Sequence, residues 1–149
     1  MCLHVTISEV QGGGKLPAPG EIKRASGLVV HKERGSRNNT LQLFAWERDC
    51  GCGLLVPGGR IDAKTWNLDP EALPRIVAAL KFVSARSKRF AFSALFFGEQ
   101  ATTEIVISRR DLSEIILQNQ IRNYYRYIVV GKLSGRRREA PANSTQEPT

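Results

Sequence analysis

Asp69-Pro70-Glu71-Ala72-Leu73-Pro74-Arg75-Ile76-Val77-Ala78-Ala79-Leu80-Lys81-Phe82-Val83, followed after a short basic link by Phe90-Ala91-Phe92-Ser93-Ala94-Leu95-Phe96-Phe97, is the stretch that decides the fold class. Leu73, Ile76, Val77, Leu80 and Val83 recur at helical spacing and make one apolar stripe. Asp69 suits the N-cap, and Pro70 suits the first helical position, where a missing N–H costs nothing. Pro74 removes one early hydrogen bond and delays the regular helix by a turn. Lys88 and Arg89 are expected near the helix end, against the negative pole of its dipole. Residues 90–97 are too aromatic and too short for a second helix. They read as a buried central strand.

Working toward the N-terminus, Leu3, Val5 and Ile7 alternate with His4, Thr6 and Ser8, the period of a half-buried strand. Residues 11–20 hold four glycines and two prolines and read as a loop. Residues 28–31 and 40–46 are two strands, joined through Gly35-Ser36-Arg37-Asn38-Asn39, whose residues tolerate the positive φ of a hairpin turn. Residues 53–56 give a short fourth strand, stopped by Pro57-Gly58-Gly59.

Toward the C-terminus, Gly98-Glu99-Gln100 turns into a strand over 102–107. Ser108-Arg109-Arg110-Asp111 then resembles a capping box with Asp in place of Glu. The helix it opens puts Leu112, Ile115 and Ile116 on one face, and residues 124–130 form a last strand. The expectation is one α+β domain over 1–131, with a largely antiparallel sheet of about six or seven strands and two helices packed on one face. Its order is βββ(β)-α-ββ-α-β. A disordered basic and polar tail is expected over 132–149.

The chain has 149 residues, which suits one domain and a core that needs no disulfide or metal. Hydrophobic residues at 42% and charged residues at 24% exclude wholesale disorder. No apolar run approaches the ~20 residues of a membrane span, so no membrane partner is expected. The N-terminus lacks the basic and apolar segments of a signal peptide. Three cysteines make no disulfide framework, and a reduced, cytoplasmic protein is the expectation. The triplets Asn38-Asn39-Thr40 and Asn143-Ser144-Thr145 are then chance matches to a glycosylation signal.

Cys50-Gly51-Cys52 is the most unusual local feature. Two thiols one residue apart can grip a soft metal, and Cys2 and His4 would complete a four-ligand zinc site if the first strand lies beside them. A redox thiol pair is a further reading, and plain structural cysteine is the leading one. Gly12-Gly13-Gly14-Lys15 fails as a phosphate loop, because Glu9 and Leu16 stand where Gly and Ser or Thr are required. Pro17 and Pro19 argue against the helix such a loop needs, which leaves a flexible connector. His4 and His31 offer an acid and a base for RNA cleavage only if their strands bring them together. Glu47, Asp49, Asp62 and Asp69 are scattered and define no Mg²⁺ site. No Ser-His-Asp arrangement is identifiable, and a Cys-His pair of Cys50 or Cys52 with His31 stays open.

The net charge is +8, and the tail from Lys132 carries four bases and two acids, so about +6 lies on the domain. Advancing 100° per residue, Arg75, Phe82, Arg86 and Arg89 fall together opposite the apolar stripe. An aromatic among three arginines can stack a base while guanidinium groups hold phosphates. The bland alternative is a solvated face whose phenylalanine tucks under a loop. Near the C-terminal end, alternation puts Tyr125 and Tyr127 on one face and Tyr124 and Arg126 on the other.

The leading expectation is a small cytoplasmic binding or regulatory module, not an enzyme, that associates with nucleic acid through the Arg75-Phe82-Arg86-Arg89 face. The alternatives are an interaction module for an acidic protein, served by the same face, and a small metal- or thiol-dependent protein built on Cys50 and Cys52.

Overall fold

The computed structural model describes residues 3–35, 38–45, 54, 68–96 and 98–131. Six strands and three helices follow in the order β1 (Leu3–Glu9), α1 (Pro19–Ser26), β2 (Val29–Lys32), β3 (Thr40–Phe44), α2 (Ala72–Ser84), β4 (Arg89–Phe96), β5 (Thr103–Ser108), α3 (Arg109–Leu117) and β6 (Tyr125–Val130). One sheet takes the spatial order β2-β3-β1-β4-β6-β5. All neighbours are antiparallel except β5 and β6, which run parallel. That exception follows from connectivity, since α3 carries the chain back to the start of the sheet between them. The α+β class and the largely antiparallel sheet are as expected.

Alternation decides which side of the sheet is covered. Leu3, Val5 and Ile7 of β1 are buried in one core with Leu41, Leu43, Phe90, Phe92, Tyr127 and Val129. Ile22 of α1, the Ile76 and Leu80 stripe of α2, and Leu112 and Ile116 of α3 complete that core. Three helices therefore cover one face, with α2 between α1 and α3. As expected for a central strand, β4 lies between β1 and β6.

Three helices stand where two are expected: α1 is the addition, and only its first two residues, Pro19 and Gly20, fall in the loop expected over 11–20. Pro19 opens it at its first position, Glu21 accepts the Ala18 N–H at 3.1 Å, and Gly27 closes it at φ 77°. Pro19 therefore starts a helix where it was expected to forbid one. The regular helix α2 starts at Ala72 with Glu71 at the N-cap and no side-chain cap bond, two residues later than an N-cap at Asp69 implies. The Asp69 carbonyl accepts from Ala72 and Leu73, and its carboxylate from Glu71 N–H at 3.0 Å. Pro74 has no N–H to follow Leu73 into the ladder, so the bond to the Pro70 carbonyl is missing, and the regular helix runs from Ala72.

The expected fourth strand lies, Leu54 apart, outside the described residues, as do Trp46 and the tail. Gly12-Gly13-Gly14-Lys15 is a clasp and not a loose connector. The carbonyl of Gly13 accepts from Lys88 and Arg89 N–H, and that of Lys15 accepts from Ser87 Oγ at 2.9 Å.

Candidate functional site

Strand pairing sets a polar row across the face on which, among the described residues, no helix packs. Residues directly opposite each other on neighbouring strands share a face. His31 pairs with Gln42, Gln42 with Thr6, Thr6 with Ser93, Ser93 with Arg126 and Arg126 with Glu104. The row thus crosses all six strands. At its outer end Arg126 and Glu104 form an ion pair. Over its inner part lies a cavity of about 480 Å³. Its walls are His4, Thr6 and Ser8 of β1, Thr40 and Gln42 of β3, and Ser93 and Leu95 of β4. Glu33 and Arg34 close one side, from the β2–β3 connection, and Gly98 and Glu99 the other, from the turn after β4.

The hydroxyls of the floor are organised in pairs. Thr6 Oγ1 and Ser93 Oγ are 2.9 Å apart, so one proton is shared between them and the other is available to an occupant. Ser8 Oγ lies 3.0 Å from Thr40 Oγ1, which itself donates to the Asn38 carbonyl. Ser8 is therefore the donor in that pair and turns only lone pairs outward.

Gln42 links the remaining groups. Its Nε2 donates to Glu33 Oε1 at 3.1 Å and lies 3.1 Å from His4 Nδ1. An ionised carboxylate only accepts, so Glu33 fixes the amide with its NH₂ inward. His4 Nδ1 must then accept, which makes the ring neutral with its proton on Nε2. Burial lowers the His4 pKa below 6.5, against the opposing pull of Glu33, and so favours that neutral form. His31 lies two strands from His4, with β3 between them. Its ring packs against Phe44 with centroids 5.5 Å apart. The two histidines share a face but not a reaction centre, since two strand spacings separate them by about 10 Å.

The residues of the basic face are placed otherwise than helical spacing suggests. Because α2 ends at Ser84, Arg86 follows its C-cap and Arg89 opens β4. Arg89 alternates with the buried Phe90 and so points away from the helical layer. The helix-end role expected of Lys88 and Arg89 falls to Lys81 in the last turn and to Arg86, whose Nη1 donates to the Phe82 carbonyl at 3.2 Å. The Arg86 guanidinium also lies 3.7 Å above the Phe82 ring, and Phe82 packs against the core. Phe82 is therefore half-buried under its own arginine. Arg75 is exposed beside Gly27 at the end of α1.

Charge is nonetheless segregated. Lys15, Lys23, Arg24, Arg75, Lys81, Arg86 and Lys88 are exposed on α1, α2 and their flanking segments, against Glu21, Asp69 and Glu71.

Cys2, Cys50 and Cys52 lie outside the described residues. Among those described, no three His, Cys, Asp or Glu side chains are grouped to hold a metal ion, and no helix is long and apolar enough to cross a membrane. Tyr127 is buried in the core, while Arg126 faces the open side. No family model matches the chain, and no curated protein or solved structure matches it. Sequence reading singled out His4 but not Thr6, Gln42, Ser93 or Glu33. The signal available was the run of polar residues at the alternate positions of the first strand, which marks the face turned away from the apolar core.

Proposed function

We propose that this chain is a non-enzymatic binding module that holds a small polar ligand over the open face of its sheet. The observation that carries this reading is the convergence of Thr6, Ser8, Gln42 and Ser93 from three adjacent strands on one 480 Å³ cavity. That volume is in the range of small-molecule sites. Strand-borne side chains hold their positions better than loop-borne ones, which suits recognition by hydrogen bonds. Ligand-observed NMR with a panel of small polar compounds tests it. Hits should be lost in the double variant Thr6→Val, Ser93→Ala while its thermal midpoint stays near that of the parent. Hits that survive the double variant unchanged would place binding elsewhere.

The segregated bases favour a second reading, association with nucleic acid across α1 and α2. Arg75 and Arg86 would then contact phosphates, while the Arg86 lid over Phe82 argues against base stacking on that ring. Fluorescence polarisation with labelled single-stranded RNA and duplex DNA over a salt series separates the outcomes. Binding near physiological salt with a preference for one nucleic acid supports this reading, and uniform loss by moderate salt leaves only generic attraction. Capture of a stoichiometric acidic protein would favour the interaction module instead.

A further inference from the structure

We infer that the cavity takes a small hydroxylated cation, an ammonium group on a sugar-sized polyol frame; this rests on the reading of that cavity as the ligand site. Among the described residues three charged side chains line it, and their exposure decides the local sign. Glu33 is half-buried, whereas Arg34 and Glu99 are exposed. Exposed charges are screened by salt and water, so the field inside the cavity is set mainly by the Glu33 carboxylate. Gln42 engages one oxygen of that carboxylate and leaves the second to a ligand. His4, beside the same amide, is held neutral and does not offset the negative charge.

The floor asks for hydroxyl groups. Ser8 offers only lone pairs, and the Thr6–Ser93 pair offers a proton. A ligand that both donates and accepts at neighbouring positions satisfies the two together, as vicinal hydroxyls do. Leu95 supplies an apolar wall for a carbon frame. A carboxylate ligand would meet Glu33 with a like charge, and a neutral polyol would leave that charge without a counter-ion.

Glucamine, sorbitol and gluconate share one carbon frame and differ in charge, which makes them the probes of choice. Each is titrated into the full chain at pH 7.5 and low salt, with backbone amide shifts as the readout. Glucamine should bind about tenfold more tightly than sorbitol, equivalent to about 1.4 kcal/mol. Gluconate should be weakest, and the shifts should centre on Thr6, Gln42 and Ser93. Glu33→Gln should bring glucamine and sorbitol level. Sorbitol or gluconate matching glucamine on the parent chain would overturn the inference while leaving the cavity as a binding site. If none of the three moves those amides, the inference and the proposed site fall together. A glucamine preference that survives Glu33→Gln in a folded variant overturns the role of Glu33.

Discussion

Gln42 holds His4 in one tautomer, with amide Nε2 3.1 Å from ring Nδ1. The second amide proton goes to Glu33, so the ring nitrogen receives a donor and cannot itself carry a proton there without losing that bond. A chain of three side chains thereby connects the cavity to the protonation state of one imidazole.

A pH dependence of stability follows from that relationship. Burial holds the His4 pKa below its ordinary 6.5, and Glu33 opposes the shift. The unfolded chain therefore binds this proton at a higher pH than the folded one. Stability from this group is intact above 6.5 and is lost as pH falls through the lowered folded value. Urea midpoints should be lower at pH 5.5 than at pH 7.5, and His4→Gln should reduce the difference. An identical difference in the variant would assign the acid sensitivity to other groups.

The segment from Ser87 to Arg89 is gripped between two glycines. A Cβ on Gly13 would come 2.1 Å from the Arg89 carbonyl oxygen, and one on Gly131 would come 2.0 Å from that of Ser87. Both clashes are with backbone, so Gly13→Ala and Gly131→Ala should each cost on the order of 3 kcal/mol. Gly20, inside α1, meets nothing nearer than an Arg24 guanidinium nitrogen at 3.8 Å. Gly20→Ala should stabilise by about 0.5–1 kcal/mol through helix propensity. Calorimetric midpoints on the three variants give the signs directly.

Ser108 caps α3, its Oγ accepting from Asp111 N–H at 3.1 Å. Ser108→Ala should lower stability by about 1 kcal/mol, and Ser108→Asp should restore it. Chemical denaturation measures both, and equal losses in the two variants would deny the cap its role.

Arg86 tests whether the basic layer engages phosphate. Under the nucleic-acid reading, Arg86→Ala should reduce the slope of log affinity against log salt by about 0.9, the share of one duplex phosphate contact. Arg110→Ala, in α3, whose two arginines are matched by Asp111 and Glu114, should leave the slope unchanged. Equal effects from both would indicate diffuse attraction to the whole surface.

What the sequence by itself determined is what short-range periodicity encodes. The stripe from Leu73 to Val83 specified α2, the aromatic run after Arg89 specified β4, and the alternation in residues 3–8 specified a strand with one apolar and one polar side. These signals arise because a helix repeats every 3.6 residues and a strand every two. In α1 the cues were present, Pro19 at its start and Gly27 at its end, but eight residues beside a glycine-rich run make a weak pattern.

Only the tertiary structure decided which strands are neighbours. It put β3 between the strands of the two histidines, and it carried Arg89 off the helix and onto the sheet. It also brought Ser93 against Thr6, 87 residues away in the chain. Pairing of that kind depends on packing the whole core, because many registers satisfy the same local alternation and burial of the shared apolar face selects one.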